Sequence, residues 1–159
     1  MSSILSNLCE PFVILPMQAT DRRSAVQELL VPLKEHRFID SLEECLEEIL
    51  KRERRMSTGV GKGVALPHGL SAKANEVVMV LGISPEGIDF KAVDGVLCRI
   101  FVLLISPARQ PDKHLKILSH IIRLLGNGQL RSALLQARSP GEVLDTLRKW
   151  ESEVEDVPI

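Results

Sequence analysis

Residues 100–105 (Ile-Phe-Val-Leu-Leu-Ile) are the longest uninterrupted apolar run in the chain. The run is far shorter than the roughly 18 residues a membrane span needs, and it fits a buried strand. A buried strand has to be covered, and helical patterns before and after it in the sequence supply the cover. Upstream, Thr20 or Asp21 is a good helix cap, and Ala25, Val26, Leu29, Leu30 and Leu33 then recur at helical spacing. Pro32 falls inside this pattern and is expected to kink or end the helix. A second helix starts at the Ser41-x-x-Glu44 capping box. Its apolar stripe is Leu42, Cys45, Leu46, Ile49 and Leu50, and Glu43, Glu47 and Glu48 form its wet face.

The period then changes. Residues 57–69 hold four glycines and read as a loop with a short strand over 64–66. Residues 76–83 and 99–105 read as strands, with an Asp94-Gly95 turn signal between them. Three further helices follow. The first runs from an Asp112 cap to Leu125, with Gly126 as its stop, and the second covers 130–137. The third starts at Ser139-Pro140 and ends near Trp150. Residues 151–159 read as a flexible, frayed acidic tail, and residues 4–15 as a short helical turn followed by an extended segment. The order of helices, strands and helices predicts a single domain over 1–159. Its fold class is α/β or α+β, with one mixed β-sheet covered by helices.

Hydrophobic residues make up 45% of the chain but aromatics only 3%, so the core has to be built from Leu, Ile, Val and Ala. The net charge of -1 argues against a general nucleic-acid binder. The first residues lack the basic start and apolar stretch of a secretory signal, and no segment calls for membrane insertion. Cys9, Cys45 and Cys98 are widely spaced in apolar contexts, which reads as buried thiols of a reducing, cytoplasmic setting rather than a disulfide or zinc framework.

Four histidines are the candidates for chemistry. His36 lies in polar surroundings and reads as solvated. His120 lies mid-helix and reads as a surface or satisfied core residue. His68 is placed differently: it ends the short apolar strand, follows Pro67 and precedes Gly69. The proline fixes the backbone before the ring and the glycine removes bulk after it. Upstream, Thr58, Gly59, Gly61 and Gly63 can bring backbone N–H groups to an anion. The same residues also fit a plain glycine turn beside a surface histidine, and the cluster is neither a GxGxxG nor a Walker loop. His114, in the first turn of its helix, is placed to hydrogen-bond an anion or to steady a second imidazole, or is an ordinary first-turn polar residue. His114 and His120 are six apart, which puts them on different helix faces and makes no metal pair. Arg52, near the end of the second helix, offers a fork of donors to phosphate oxygens, and equally suits a helix C-terminus.

The stretch Arg52-Glu53, then Ser57 to Gly69 ending in Leu66-Pro67-His68-Gly69, resembles the active-site signature of the type-2 EIIA domains of the bacterial phosphoenolpyruvate-dependent phosphotransferase system. This is the fructose, mannitol and nitrogen-regulatory group. Gly87-Ile88-Asp89-Phe90, Val93-Asp94-Gly95, Val102 to Pro107 and His114-Leu115-Lys116-Ile117-Leu118 are similar to the family's later blocks, so the resemblance covers nearly the whole chain. It implies a mixed sheet flanked by helices on both faces. It also implies a phosphocarrier without cofactor or metal, phosphorylated on His68, assisted by His114, with Arg52 stabilising phosphate charge. The implied donor is the histidine phosphocarrier HPr or its nitrogen-branch relative. The output is regulatory, as in the stand-alone nitrogen-regulatory members. Otherwise it is transfer to an EIIB in fructose- or mannitol-type sugar uptake, or phosphate-free docking on regulatory target proteins. Members often carry Gly where this chain has Met56 after Arg54-Arg55, a departure that bears on partner choice.

Overall fold

The computed structural model describes residues 8–154. The first part of the expected N-terminal turn, residues 4–7, and the end of the expected acidic tail, residues 155–159, lie outside the described residues. A 3-10 turn over Glu10–Phe12 leads into strand β1 (Val13–Ile14), as the N-terminal pattern predicted for the part of it that is described. Helix α1 spans Arg22–Glu35, capped by Asp21, whose side chain accepts from Ser24 N. Pro32 is buried within α1 and does not end it. It sits in the last turn, where one missing N–H removes a single helical bond, and His36 N still bonds Pro32 O. Helix α2 spans Leu42–Arg55, with Ser41 Oγ accepting from Glu44 N.

The glycine-rich segment is more ordered than a loop. It forms strands β2 (Gly59–Gly61) and β3 (Val64–Ala65), an antiparallel hairpin closed by Lys62 and Gly63, both at positive φ. Two consecutive positive φ values match the twist of a tight hairpin turn. Strand β4 (His68–Ser71) follows, so His68 opens a strand instead of closing one. The long strands β5 (Val78–Ile88) and β6 (Cys98–Pro107) pair antiparallel and form the sheet's centre. Between them, Gly95 N bonds Ala92 O, and the Asp94 carboxylate accepts from Lys62 N and Val96 N. These two amide bonds hold the Asp94 pKa below the usual carboxylate value. Helices α3 (Pro111–Leu125), α4 (Gly128–Gln136) and α5 (Pro140–Val154) complete the chain.

The sheet is mixed, ordered β1-β5-β6-β3-β2, with β3 and β4 lying end to end and parallel along one edge of β6. Consecutive side chains of a strand point to opposite faces, and all of Ile100–Ile105 are buried, so both faces are covered. A Cβ on Gly82 would meet Leu29 of α1 at 2.9 Å, which places α1 on the face of Phe101, the cross-strand partner of Gly82. Helices α1 and α2 pack on each other, as do α3, α4 and α5.

Three expectations need correction. Helix α3 starts at Pro111 with Gln110 as its cap, so Asp112 lies inside the first turn. The acidic tail does not begin at residue 151: α5 continues to Val154, and Glu151 is 4% exposed with its carboxylate 3.4 Å from His120 Nε2. A carboxylate facing a buried imidazole is held, not frayed. Of the cysteines only Cys98 is buried, where desolvation pushes its thiol up to about 12; Cys45 is half-buried and Cys9 exposed. Among the described residues no helix is long and apolar enough to cross a membrane.

Candidate active site

Strand register assembles the centre. His68 of β4 lies abreast of Leu104 of β6, and paired residues of neighbouring strands share a face. Ser106, two residues beyond Leu104, therefore projects to the same side as His68. Helix α3 covers that side and sets His114 against both. His114 Nδ1 is 2.7 Å from Ser106 Oγ, and the His68 and His114 ring centroids are 5.3 Å apart with the rings tilted by 47°.

The His68 ring folds back on its own backbone, with Nδ1 2.7 Å from Leu66 O. A carbonyl oxygen only accepts, so Nδ1 carries the proton and Nε2 carries the lone pair. Burial lowers the ring's pKa below the ordinary histidine value. Arg52 adds to that, while the Leu66 bond and Glu53 oppose it. At neutral pH His68 is an uncharged imidazole whose nucleophilic nitrogen is fixed. His114 is 5% exposed, and its pKa falls to about 4 through burial, through His68 and through Arg52. Its Nε2 is buried and, among the described residues, has no hydrogen-bond partner.

In front of His68 lies a cleft of about 520 Å³, walled by α2, the β2–β3 hairpin and α3. Lys51, Arg52 and Arg55 line it against one carboxylate, Glu48. Met56, Val60, Leu118 and Ile122 supply its apolar rim, and Met56 is 77% exposed. Arg52 makes no ion pair among the described residues, which leaves its guanidinium available to an anion in the cleft.

Of the four expected loop residues, only Thr58 borders this cleft. Its N–H and hydroxyl are both taken by the carboxylate of Glu53, which is 3% exposed. Gly59 N bonds Ser57 Oγ, and a Cβ there would stand 2.9 Å from the Ala92 backbone. Gly61 faces Asp94, and Gly63 O accepts from Arg99 N and Ile100 N. The three glycines shape the hairpin and its contact with residues 92–99; they do not line the cleft.

Residues 7–150 match the family model described as "Phosphoenolpyruvate-dependent sugar phosphotransferase system, EIIA 2". The chain belongs to this family. A nitrogen regulatory protein of Bradyrhizobium diazoefficiens is 30% identical over 145 residues, covering 90% of this chain and 94% of that protein. The fructose-specific EIIA component of Haloferax volcanii is 32% identical over 126 residues, covering 79% of this chain and 82% of the relative. The crystal structure of nitrogen regulatory protein IIA-Ntr from Neisseria meningitidis superposes with a TM-score of 0.82 at 26% identity, covering 87% of this chain and 94% of that one. The chain also matches larger EIIABC components, of whose length it spans about a fifth.

In this EIIA domain the structure brings His68, His114, Arg52 and Thr58 to one place. Glu53 and Ser106 stand within the resembling sequence blocks, but sequence reasoning assigned neither a role. Glu53 stands beside Arg52 in the sequence, and its neighbour Thr58 five residues on was the available signal. Ser106 carried none, because only the β4–β6 register places it beside His68.

Proposed function

We propose that this EIIA domain carries a phosphoryl group on Nε2 of His68. The observation that carries the reading is the bond from His68 Nδ1–H to Leu66 O, which fixes the lone pair on Nε2 of a ring at the wall of a basic cleft. The donor is an HPr-type histidine phosphocarrier, charged from phosphoenolpyruvate through enzyme I. The Nε2 lone pair attacks phosphorus as the donor's P–N bond breaks, and that bonding pair returns to the donor's ring nitrogen. His68 Nδ1–H keeps its proton throughout, so no base is needed. Arg52 offers charge-assisted donors to the phosphoryl oxygens, and a positioned donor of this kind is worth about 2.7–4 kcal/mol in a barrier.

Relatives of both branches favour two outputs for the same chemistry. A nitrogen regulatory protein and a fructose-specific EIIA component are about equally similar to this chain. In the regulatory output the added charge of about -1.5 to -2 at the cleft alters docking on target proteins; in the sugar output the group passes to an EIIB.

The test is incubation of the protein with phosphoenolpyruvate, enzyme I and HPr-type carriers, followed by intact-mass measurement. One acid-labile phosphate is expected in the wild type and none in His68→Ala, which stays folded. A phosphate that persists in His68→Ala, or none in the wild type with any HPr-type carrier, refutes the assignment. Chase with a fructose- or mannitol-type EIIB separates the outputs.

A further inference from the structure

Ser106 is fully buried, and among the described residues its hydroxyl has one hydrogen-bond partner, His114 Nδ1 at 2.7 Å. We propose that Ser106 is a positioning residue that donates its hydroxyl proton to His114 Nδ1, fixes the neutral ring as the Nε2–H tautomer, and so readies an N–H donor beside the phosphoryl-accepting His68. The proposal rests on the assignment of His68 as the acceptor.

A neutral imidazole carries one N–H, so its tautomer decides whether His114 attracts or repels a phosphoryl group. The ring is neutral at physiological pH, since burial, His68 and Arg52 leave it with a pKa of about 4. Two proton arrangements are open to the pair. In the first, Nδ1–H donates to Ser106 Oγ. The hydroxyl hydrogen of a fully buried serine then has no acceptor, and His114 Nε2 is a bare lone pair next to His68. In the second, the serine hydroxyl donates to Nδ1. Both atoms of the contact are then satisfied, and the one group left over is Nε2–H.

Nε2 is the nitrogen that is buried without a partner among the described residues. A buried donor that stays unpaired in the resting protein is a destabilising feature, and such groups recur where a ligand supplies the missing partner. An anionic oxygen on phosphorylated His68 is a partner of the right chemistry, with the two rings 5.3 Å apart. The serine is well placed for this task because β4 and β6 hold His68 and Ser106 on one face of the sheet at fixed register. The helix carrying His114 has only to lie across that face for its ring to meet both.

Nitrogen-detected histidine NMR on the unphosphorylated protein near neutral pH reads the tautomer directly. The expected result is a protonated Nε2 and an unprotonated, hydrogen-bonded Nδ1 for His114, with that signature lost or averaged in Ser106→Ala and restored in Ser106→Thr. Single-turnover transfer from phosphorylated HPr is expected to slow by about tenfold or more in Ser106→Ala, as happens when an imidazole loses the group that holds its tautomer. A merely structural serine would alter stability without moving the nitrogen shifts. If wild-type His114 carries its proton on Nδ1, the proposal is overturned. It is also overturned if Ser106→Ala transfers phosphate at the wild-type rate, an outcome that leaves the His68 assignment intact. The tautomer measurement needs no phosphate, so loss of the His68 assignment would be seen separately, by mass.

Discussion

When the pH is lowered from about 7.5 to about 5, His114 stays neutral in the folded protein while the same ring in the unfolded chain takes up a proton. Burial, His68 and Arg52 set the folded pKa at about 4 against an unperturbed value of 6.5. The unfolded state binds more protons across that interval, so stability is full above about pH 6.5, falls as the pH drops, and levels off below about pH 4. The difference between the two values corresponds to about 3 kcal/mol in total, of which about 2 kcal/mol is lost by pH 5. For a chain of this length that is about 4–8 °C in melting temperature. Urea or thermal melts across this pH range, on wild type and His114→Gln, isolate this contribution because other titrating groups are common to both proteins. The variant is expected to lose about 2 kcal/mol less than wild type between the two pH values. Parallel stability profiles for the two proteins would refute the claim that His114 is held neutral by its surroundings.

Three further outcomes are expected. Glu53→Ala leaves the buried N–H and hydroxyl of Thr58 without acceptors and should cost about 2–4 kcal/mol in urea unfolding; unchanged stability would show that other groups hold the start of the hairpin. Gly59→Ala drives a methyl group to 2.9 Å from the Ala92 backbone, and a loss of about 1–3 kcal/mol should appear in the same measurement. Arg52→Ala removes an exposed cation with no ion pair among the described residues, so melts should stay within about 0.5 kcal/mol of wild type. Single-turnover phosphorylation of that variant should nonetheless slow by about 10²-fold. An unaltered rate would take Arg52 out of the site.

Half-buried helices print their period on the sequence, which together with their capping residues is why α1 and α2 could be placed; α3 was placed from Asp112 and Gly126, and its start lies instead at Pro111. The apolar run at 100–105 announced a strand covered on both faces for the same reason. The segment 57–69 was harder. Glycines at positive φ serve an anion nest, a plain loop and a tight hairpin turn equally well, and the choice is made by Asp94 and Ala92, some thirty residues away. Glu151 looked solvated because it opens a stretch with further acidic residues at 153, 155 and 156, while the ring it faces, His120, is on another helix. At the candidate site, Pro67 and Gly69 singled out His68 but left a plain surface histidine open, and it was the family resemblance that favoured the phosphoryl-carrying reading. The tautomer of His68 was not legible, since that depends on the ring turning back to Leu66 O. Ser106 and Glu53 looked ordinary because strand register and a helix end give them their contacts.

The two imidazoles of the site are anchored by different kinds of group. His68 is held by the main-chain carbonyl of Leu66, which every residue type at that position would also supply. His114 is held by a serine hydroxyl, which a single base change in a serine codon can delete. Sequence drift therefore acts unevenly on this pair: the orientation of the His68 ring is shielded from side-chain replacement at position 66, while that of His114 hangs on one replaceable oxygen atom. Replacements at position 106 can therefore change how the His114 ring is held without touching His68 or its carbonyl anchor.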